Sequence, residues 1–84
     1  SNNFLDVYGM GSDVDVVANL AFEGEITTEI YDSRGRLMAS QQFNGISGIN
    51  RFKLITGIPE SGIYMVVARD ASGNQQTKRV YLTK

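Results

Sequence analysis

A pair of closely spaced acidic side chains is the first candidate for chemistry in this sequence. Asp13 and Asp15 are two residues apart, so on a β-strand they project from one face about 7 Å from each other. Carboxylates at such a separation serve in glycoside hydrolysis or cation binding. A domain this small has no cleft that would shield the two carboxylates from water. No third acidic residue lies close by with a glycine turn, so a calcium-binding loop is not completed either. We interpret the pair as a solvated strand face and expect no metal and no cofactor.

The composition excludes most catalytic chemistry. The chain of 84 residues has no His and no Cys, which removes a Ser–His base, a thiolate nucleophile, a zinc cluster and any disulfide. Tyr8–Gly11 contains a lone Gly-x-Gly with no third glycine and no following helix, which predicts a turn and not a nucleotide-binding loop. We therefore expect a protein that is not an enzyme.

The charged residues divide unevenly along the chain. Residues 1–32 carry seven acids and no Lys or Arg, whereas residues 33–84 carry eight bases and two acids, and the net charge is only −1. Such a split favours a charged partner, self-association or pairing within the molecule. Internal pairing is the simplest interpretation, because strands from the two halves of an antiparallel sandwich commonly pair. The acidic net charge disfavours a nucleic-acid partner.

The elements that must position these side chains are β-strands. Turn residues recur about every ten positions, and no segment keeps the 3.6-residue period of a helix. The sixth predicted strand is apolar on both faces and so belongs in the middle of a sheet. We predict strands over Phe4–Tyr8, Asp13–Ala21, Glu25–Tyr31, Arg36–Phe43, Ile49–Ile55, Gly62–Arg69 and Asn74–Lys84.

Two turns have strong signals in the sequence. Asp32 with Gly35, and Asp70 with Gly73, combine an Asp that bonds its own backbone with a Gly that takes a positive φ. Further breaks are predicted at Gly9–Ser12, at Asn44–Gly45 with Gly48, and over Thr56–Ser61.

These patterns predict an all-β fold, a seven-stranded antiparallel two-sheet immunoglobulin-like sandwich. A single domain spans residues 1–84, with residues 1–3 set aside as an expression remnant or linker. The chain has no Trp and no Cys pair, which excludes an antibody-type domain. It also lacks a membrane-length apolar run and a signal peptide, so we expect a cytosolic chain or a piece of a longer exported protein.

The last two thirds of the chain carry short motifs in a defined order. They are Ile30–Leu37 (IYDSRGRL), Gly48–Leu54 (GINRFKL), Ile58–Val66 (IPESGIYMV), the turn Asp70–Asn74 (DASGN) and Lys78–Lys84 (KRVYLTK). From about Glu29 to Lys84, their order, spacing and final position resemble the type A C-terminal sorting domain of proteins exported by the type IX secretion system of Bacteroidetes. The N-terminal third departs from that family, because Gly9-Met10-Gly11 follows Tyr8 where members typically have Pro-Asn-Pro. The departure exchanges a stiff turn for a flexible one.

The resemblance implies a function in protein transport. The cargo would cross the inner membrane, fold in the periplasm and be recognised through this domain by the outer-membrane translocon. A gingipain-like cysteine sortase usually cleaves upstream of such domains, and the cargo stays on the outer-membrane surface or is released. The implied partners are translocon components, the sortase and the parent cargo protein. Whether this domain is cleaved or retained stays open.

The resemblance places the candidate recognition residues in the last two predicted strands. A final strand with alternating apolar and basic residues offers an edge on which the cations engage an acidic partner while Val80 and Leu82 set the register. The candidate residues are Gly62, Ile63, Tyr64, Lys78, Arg79, Val80, Tyr81, Leu82, Thr83 and Lys84.

An alternative function is that of a passive immunoglobulin- or fibronectin-like spacer or adhesion module of a surface protein. The two hypotheses differ in what deletion of Lys78–Lys84 should do. A sorting signal without these residues should leave the parent in the periplasm, whereas a spacer should lose stability and keep its destination.

Overall fold

A computed structural model describes residues 4–84, so the interpretation of residues 1–3 falls outside the described residues. Every predicted strand is confirmed, with ends that differ by at most two residues from the prediction. The strands are β1 (Leu5–Met10), β2 (Asp13–Leu20), β3 (Gly24–Tyr31), β4 (Leu37–Gly45), β5 (Gly48–Leu54), β6 (Gly62–Arg69) and β7 (Gln75–Leu82). Over the same range, no helix is long and apolar enough to cross a membrane.

The seven strands form two antiparallel sheets, which confirms the predicted sandwich. One sheet has the order β1-β2-β5 and the other has the order β4-β3-β6-β7. The doubly apolar strand β6 lies between β3 and β7, as its pattern predicts. The fourth strand pairs with the third, whereas in a constant-type immunoglobulin domain it lies beside the fifth.

The hydrophobic core lies between the sheets and follows from the alternation of side chains along each strand. Buried side chains alternate along β2, β3 and β6 with exposed or half-buried ones, and all of these buried residues except Thr28 are apolar. The buried apolar residues are Leu5, Val14, Val16, Ala18, Leu20, Ile26, Ile30, Leu54, Ile58, Tyr64, Val66, Ala68, Val80 and Leu82.

The predicted break at Gly9–Ser12 is partly wrong. Gly9 and Met10 belong to β1, where they lie opposite Val14 and Asp13, so only Gly11 and Ser12 form the turn. The absence of a side chain at Gly9 has a steric reason, since a Cβ there would lie 2.4 Å from the carbonyl oxygen of Tyr81. This glycine marks a close approach of two backbones and not a turn.

The predicted break at Asn44–Gly45 is wrong for the same physical reason. Both residues extend β4, opposite Glu25 and Gly24. A Cβ on Gly45 would lie 2.5 Å from a methyl carbon of Leu20. The chain turns only after Gly45, where it crosses from one sheet to the other before Gly48.

The two predicted Asp–Gly turns are confirmed and share one hydrogen-bond pattern. In each, a carboxylate oxygen of Asp32 or Asp70 accepts the backbone N–H groups two and four residues further on, all at 2.9 Å. Gly35 and Gly73 have φ angles of 84° and 90°, which only glycine adopts readily. These turns close the β3–β4 and β6–β7 hairpins.

Candidate functional site

The alternation of β6 and β7 divides the predicted recognition residues between two faces. Tyr64, Val80 and Leu82 point into the core and are buried. Lys78 also leaves from the inner side, because it lies opposite the buried Val66. The predicted residues therefore do not form one surface, and the adjacent cations Lys78 and Arg79 point in opposite directions.

Tyr64 is held by the fold. Its side chain is only 3% exposed, and its hydroxyl donates a hydrogen bond of 2.6 Å to the carbonyl oxygen of Glu60, four residues upstream. A Tyr near the start of this strand that bonds back to the preceding loop is the tyrosine corner of immunoglobulin-like sandwiches. Its place in the Gly62-Ile63-Tyr64 motif therefore has a structural reason.

The outer edge of β7 is covered, which corrects the expectation of a free edge there. The Gln76 side-chain oxygen accepts the backbone N–H groups of Phe4 at 3.0 Å and Leu5 at 2.9 Å. At the other end, the Thr83 N–H donates to the Gly11 carbonyl oxygen at 2.8 Å. Both links join residues that are separated by about the same number of positions in the sequence. Strand β1 therefore runs parallel to β7 along that edge.

The end of the described chain is tied to the loop before β6. Lys84 donates its backbone N–H to the Ser61 hydroxyl oxygen at 2.8 Å, and its side chain is exposed. Thr83 is also exposed, although its backbone is bonded to Gly11. Lys84 is thus available to solvent, separate from the outer face of the sheet.

The outer face of the four-stranded sheet carries an apolar surface that crosses all four strands. Ladder partners place Leu37 beside Tyr31, Tyr31 beside Met65 and Met65 beside Arg79. Ile63 and Tyr81 are partners in the next row and are 45% and 59% exposed, and Leu37 is 54% exposed. We call this surface the outer patch, and it consists of Tyr31, Leu37, Ile63, Met65, Arg79 and Tyr81.

Arg79 is the charged member of the outer patch. Among residues 4–84, the ion pairs are Arg36 with Asp32 and Arg69 with Glu29, both at 2.8 Å, and Arg79 takes part in neither. A guanidinium among exposed apolar side chains is suited to a carboxylate, which it binds with two parallel hydrogen bonds. Exposed aromatic residues around an Arg also have the composition of interface hot spots.

Tyr31 contributes a neutral aromatic ring to the outer patch. A hydrogen bond to the Glu29 carboxylate, together with partial burial, raises the pKa of its phenol above the ordinary value. Glu29 in turn binds Arg69 at 2.8 Å. The neighbouring charges are thus paired with each other, which leaves Arg79 as the charge that the patch presents.

Tyr31, Leu37 and Met65 belong to the outer patch but are not among the candidate residues that the sequence predicts. The signal was present, because both faces of β6 are apolar. The pattern predicts a central strand, and β6 does lie between β3 and β7. A central strand has a covered outer face only where another layer lies on it. Among the described residues no layer covers this face, so its apolar side chains reach solvent.

The outer face of the three-stranded sheet carries the two acids considered first. Asp13 and Asp15 lie on this face, and Asp15 is the ladder partner of Lys53. A shallow cavity of about 410 Å³ lies nearby, with Tyr8, Met10 and Arg51 among its lining residues. Within residues 4–84, no group of three acidic side chains is arranged to hold a metal ion.

Comparison with known protein families identifies a match over most of the chain. Residues 14–83 match a family described as the secretion system C-terminal sorting domain. The match spans β2 to β7 and leaves out β1, the strand in which Gly9 and Met10 depart from the pattern. No curated protein matches the chain.

Proposed function

Because the chain belongs to the family of type IX secretion system C-terminal sorting domains, we propose that it directs its parent protein through the outer-membrane translocon. The family assignment carries an interaction with the secretion machinery, a parent cargo protein, and export to the cell surface or the extracellular space. In our proposal the parent passes through the periplasm, and the domain acts as an address without catalytic activity.

We further propose that the translocon recognises the outer patch. The observation that supports this surface is an Arg79 without an ion partner, surrounded by Ile63, Met65 and Tyr81 on a face that the described chain leaves uncovered. The partner should present an apolar surface with a carboxylate near its centre, because Arg79 needs a charge partner once water is excluded. Lys78 lies on the inner side of the sheet and should contribute little.

A reporter fusion tests the sorting function. The 84 residues are joined to the C-terminus of a periplasmic reporter in a host with a working type IX system, and surface exposure is measured by protease accessibility on intact cells. We expect the reporter at the surface or in the medium. A reporter that stays in the periplasm while the domain is folded and accessible would contradict the proposal.

A pair of charge reversals tests the outer patch within the same fusion. We expect Arg79→Glu to leave the reporter in the periplasm, because it turns the charge of the patch against an acidic partner. Arg51→Glu is the matched control, since Arg51 is exposed on the outer face of the other sheet. Equal secretion of the two folded variants would show that the outer patch is not the recognition surface.

Removal by a cysteine sortase is the last part of the proposal. The cut would fall upstream of β1, so the mature parent should lack these residues. Mass spectrometry of the secreted reporter decides the point. A mass that includes residues 4–84 would place this domain among those that are retained after export.

A further inference from the structure

Strand β4 forms the outer edge of the four-stranded sheet. In the described part of the chain it pairs with β3 alone. It is nine residues long, and the ladder is regular over the seven partners from Ala39 to Gly45, with its one irregularity near Leu37. An edge strand directs alternate backbone N–H and C=O groups away from its sheet, and these groups are available to another strand.

The β4 edge lacks the features that normally prevent such pairing. Natural edges are protected by charged side chains, proline, bulges or a covering segment. Residues 37–50 contain no charged residue and no proline. The outward side chains along the edge are those of Ser40, Gln42 and Asn44, which are all exposed. The regular part of β4 is therefore an uncharged and accessible template.

The other sheet edges are protected. The edge of β7 is covered by β1, as the bonds from Gln76 and Thr83 show. The edge of β5 carries the exposed cations Arg51 and Lys53. The contrast marks β4 as the edge, within residues 4–84, that is suited to adding a strand.

The edge is also presented in a rigid form. Phe43 of β4 stacks on Phe52 of β5 with ring centroids 4.1 Å apart. Thr28 of β3 donates its hydroxyl to the Gln41 carbonyl oxygen at 2.8 Å, in addition to the backbone ladder. A partner strand therefore meets an ordered edge and does not bear the entropic cost of ordering it.

We propose that β4 pairs with β4 of a second copy of this chain, antiparallel and across a two-fold axis. A two-fold axis brings a strand against itself, so a charged edge faces its own charges, as Arg51 and Lys53 of β5 would. The β4 edge has no charge to repel its copy. In the register that places Gln42 on the axis, its amide, which is both donor and acceptor, faces the identical group of the copy, and Asn44 faces Ser40, whose hydroxyl is also donor and acceptor. This row of exposed, uncharged side chains is complementary to itself across a two-fold axis, which points to a second copy as the occupant.

The dimer has a defined geometry. The two four-stranded sheets join into one eight-stranded sheet, and the outer faces of both copies point to the same side, because the axis is perpendicular to the sheet. The outer patches remain uncovered. An interface made by one strand pair is small, which implies a dissociation constant of about 0.1–1 mM. The pairing does not depend on the proposed sorting function.

Sedimentation equilibrium of the 84-residue chain over a series of concentrations tests the proposal. We expect a reversible monomer–dimer equilibrium in the wild type. Gln42→Lys should remain monomeric, because two lysines would meet across the axis. Thr77→Lys is the matched control, since Thr77 is exposed on the outer face of β7, whose edge is covered. That variant should dimerise as the wild type does.

Two further measurements decide the result if the first variant fails to fold. Gln42→Glu places two carboxylates across the axis in place of two lysines and should also prevent the dimer. Amide chemical shifts that change on dilution should cluster in residues 39–45. A wild type that stays monomeric near 1 mM, the upper end of the expected range, overturns the proposal. The same result is expected if the β4 edge pairs with a strand of another protein instead. A dimer that persists in folded Gln42→Lys or Gln42→Glu also overturns it.

Discussion

The hydroxyl of Tyr64 donates a 2.6 Å hydrogen bond to the carbonyl oxygen of Glu60, and this contact explains a motif residue that otherwise invites a functional role. Asn50 is a second case. Its side-chain oxygen accepts the Ile46 N–H at 2.9 Å, and its nitrogen donates to the carbonyl oxygens of Ile46 and Gly48 at 2.8 and 3.1 Å. Both residues hold loops in place, so their presence in the family motifs follows from the fold.

Tyr64→Phe tests this structural role. The variant keeps the buried ring and loses the bond to Glu60, so the free energy of unfolding should fall by about 1 kcal/mol. Denaturant unfolding measures the change. Tyr81→Phe is the matched control, because Tyr81 is 59% exposed and should change stability little. Equal effects of the two substitutions would contradict the assignment of a tyrosine corner.

Asp32 makes stability depend on pH. The backbone N–H of Arg36, its guanidinium and the backbone N–H of Arg34 hold the pKa of the Asp32 carboxyl below its ordinary value. The folded state therefore keeps the carboxylate ionised to a lower pH than the unfolded chain does. Its stabilising effect is complete above about pH 3.9 and is lost as the pH falls through the folded pKa.

The comparison of wild type with Asp32→Asn tests this dependence. At neutral pH the variant should melt at a lower temperature, because the charge that binds Arg36 is gone. The gap between the two melting temperatures should narrow as the pH falls below about 3.9, where the carboxyl of the unfolded chain takes up a proton, and should close once the pH passes the lower pKa of the folded state. A gap that stays constant through the acid range would show that the charge of Asp32 does not stabilise the turn.

At the scale of the element, β7 serves the core with one face and the surface with the other. Val80 and Leu82 are buried, whereas Arg79 and Tyr81 between them are exposed. The period of two in a strand makes this division unavoidable. The end of the chain, which is basic and apolar in sequence, is therefore divided between two faces in the structure. Val80 and Leu82 lie in the inner row, and Arg79 lies in a separate outer row.

Strand β1 covers β7 only because Gly9 has no side chain. A Cβ at this position would lie 2.4 Å from the Tyr81 carbonyl oxygen and 3.2 Å from a Val80 methyl carbon. Gly9→Ala should therefore push β1 away from β7 and cost about 1–3 kcal/mol, the usual range for overpacking. Thermal unfolding measures the loss of stability. Hydrogen exchange at Leu5, whose N–H donates to Gln76, reports whether β1 still packs against β7.

The control for Gly9→Ala is Met10→Ala. Met10 belongs to the same strand and is 56% exposed, so its truncation should have little effect on stability. If Gly9→Ala is as stable as wild type and exchange at Leu5 is unchanged, the close packing of β1 on β7 is not required for the fold.

At the scale of the whole molecule, the fold brings the acidic and basic parts of the chain together. Glu29 of β3 binds Arg69 of β6 at 2.8 Å, and Asp15 of β2 lies opposite Lys53 of β5. The interpretation of the charge split as internal pairing is supported by these neighbours. Exposed ion pairs contribute only about 0–1 kcal/mol each to stability. The main effect of the pairing is therefore that neighbouring charges neutralise each other, which leaves Arg79 as the charge of the outer patch.

Deletion of Lys78–Lys84 should unfold the domain. It removes Val80 and Leu82 from the core and most of the partner of β6. Losing a buried leucine alone costs about 2–5 kcal/mol, against a total stability of about 5–15 kcal/mol. We expect the truncated chain to lose its cooperative thermal transition and its dispersed amide spectrum. The deletion therefore cannot separate a sorting signal from a spacer, since either would lose its structure.

Retention of a cooperative transition by the truncated chain would contradict this expectation. In that case the last seven residues would be dispensable for folding, and the deletion would test sorting directly. Otherwise the point variants on the outer face are the cleaner test, because Arg79→Glu alters the surface without removing a core residue.

The sequence by itself determined the seven strands, the two Asp–Gly turns and the family. These signals are local, because the pleat repeats every two residues and a turn needs only four or five. The wrong predictions at Gly9 and Gly45 also come from local signals, because the sequence does not distinguish a glycine that permits close packing from a glycine in a turn. The order of the motifs in the last two thirds of the chain is enough to identify the family.

Only the tertiary structure decided which surfaces are available. Sheet order, register and the position of β1 depend on contacts between residues distant in the sequence, and the bond between Gln76 and Leu5 joins residues 71 positions apart. Those contacts cover the β7 edge, leave the β4 edge open and assemble the outer patch from four strands. A strand's pattern states which side chains share a face, but the packing of distant strands decides whether that face or edge meets protein or water.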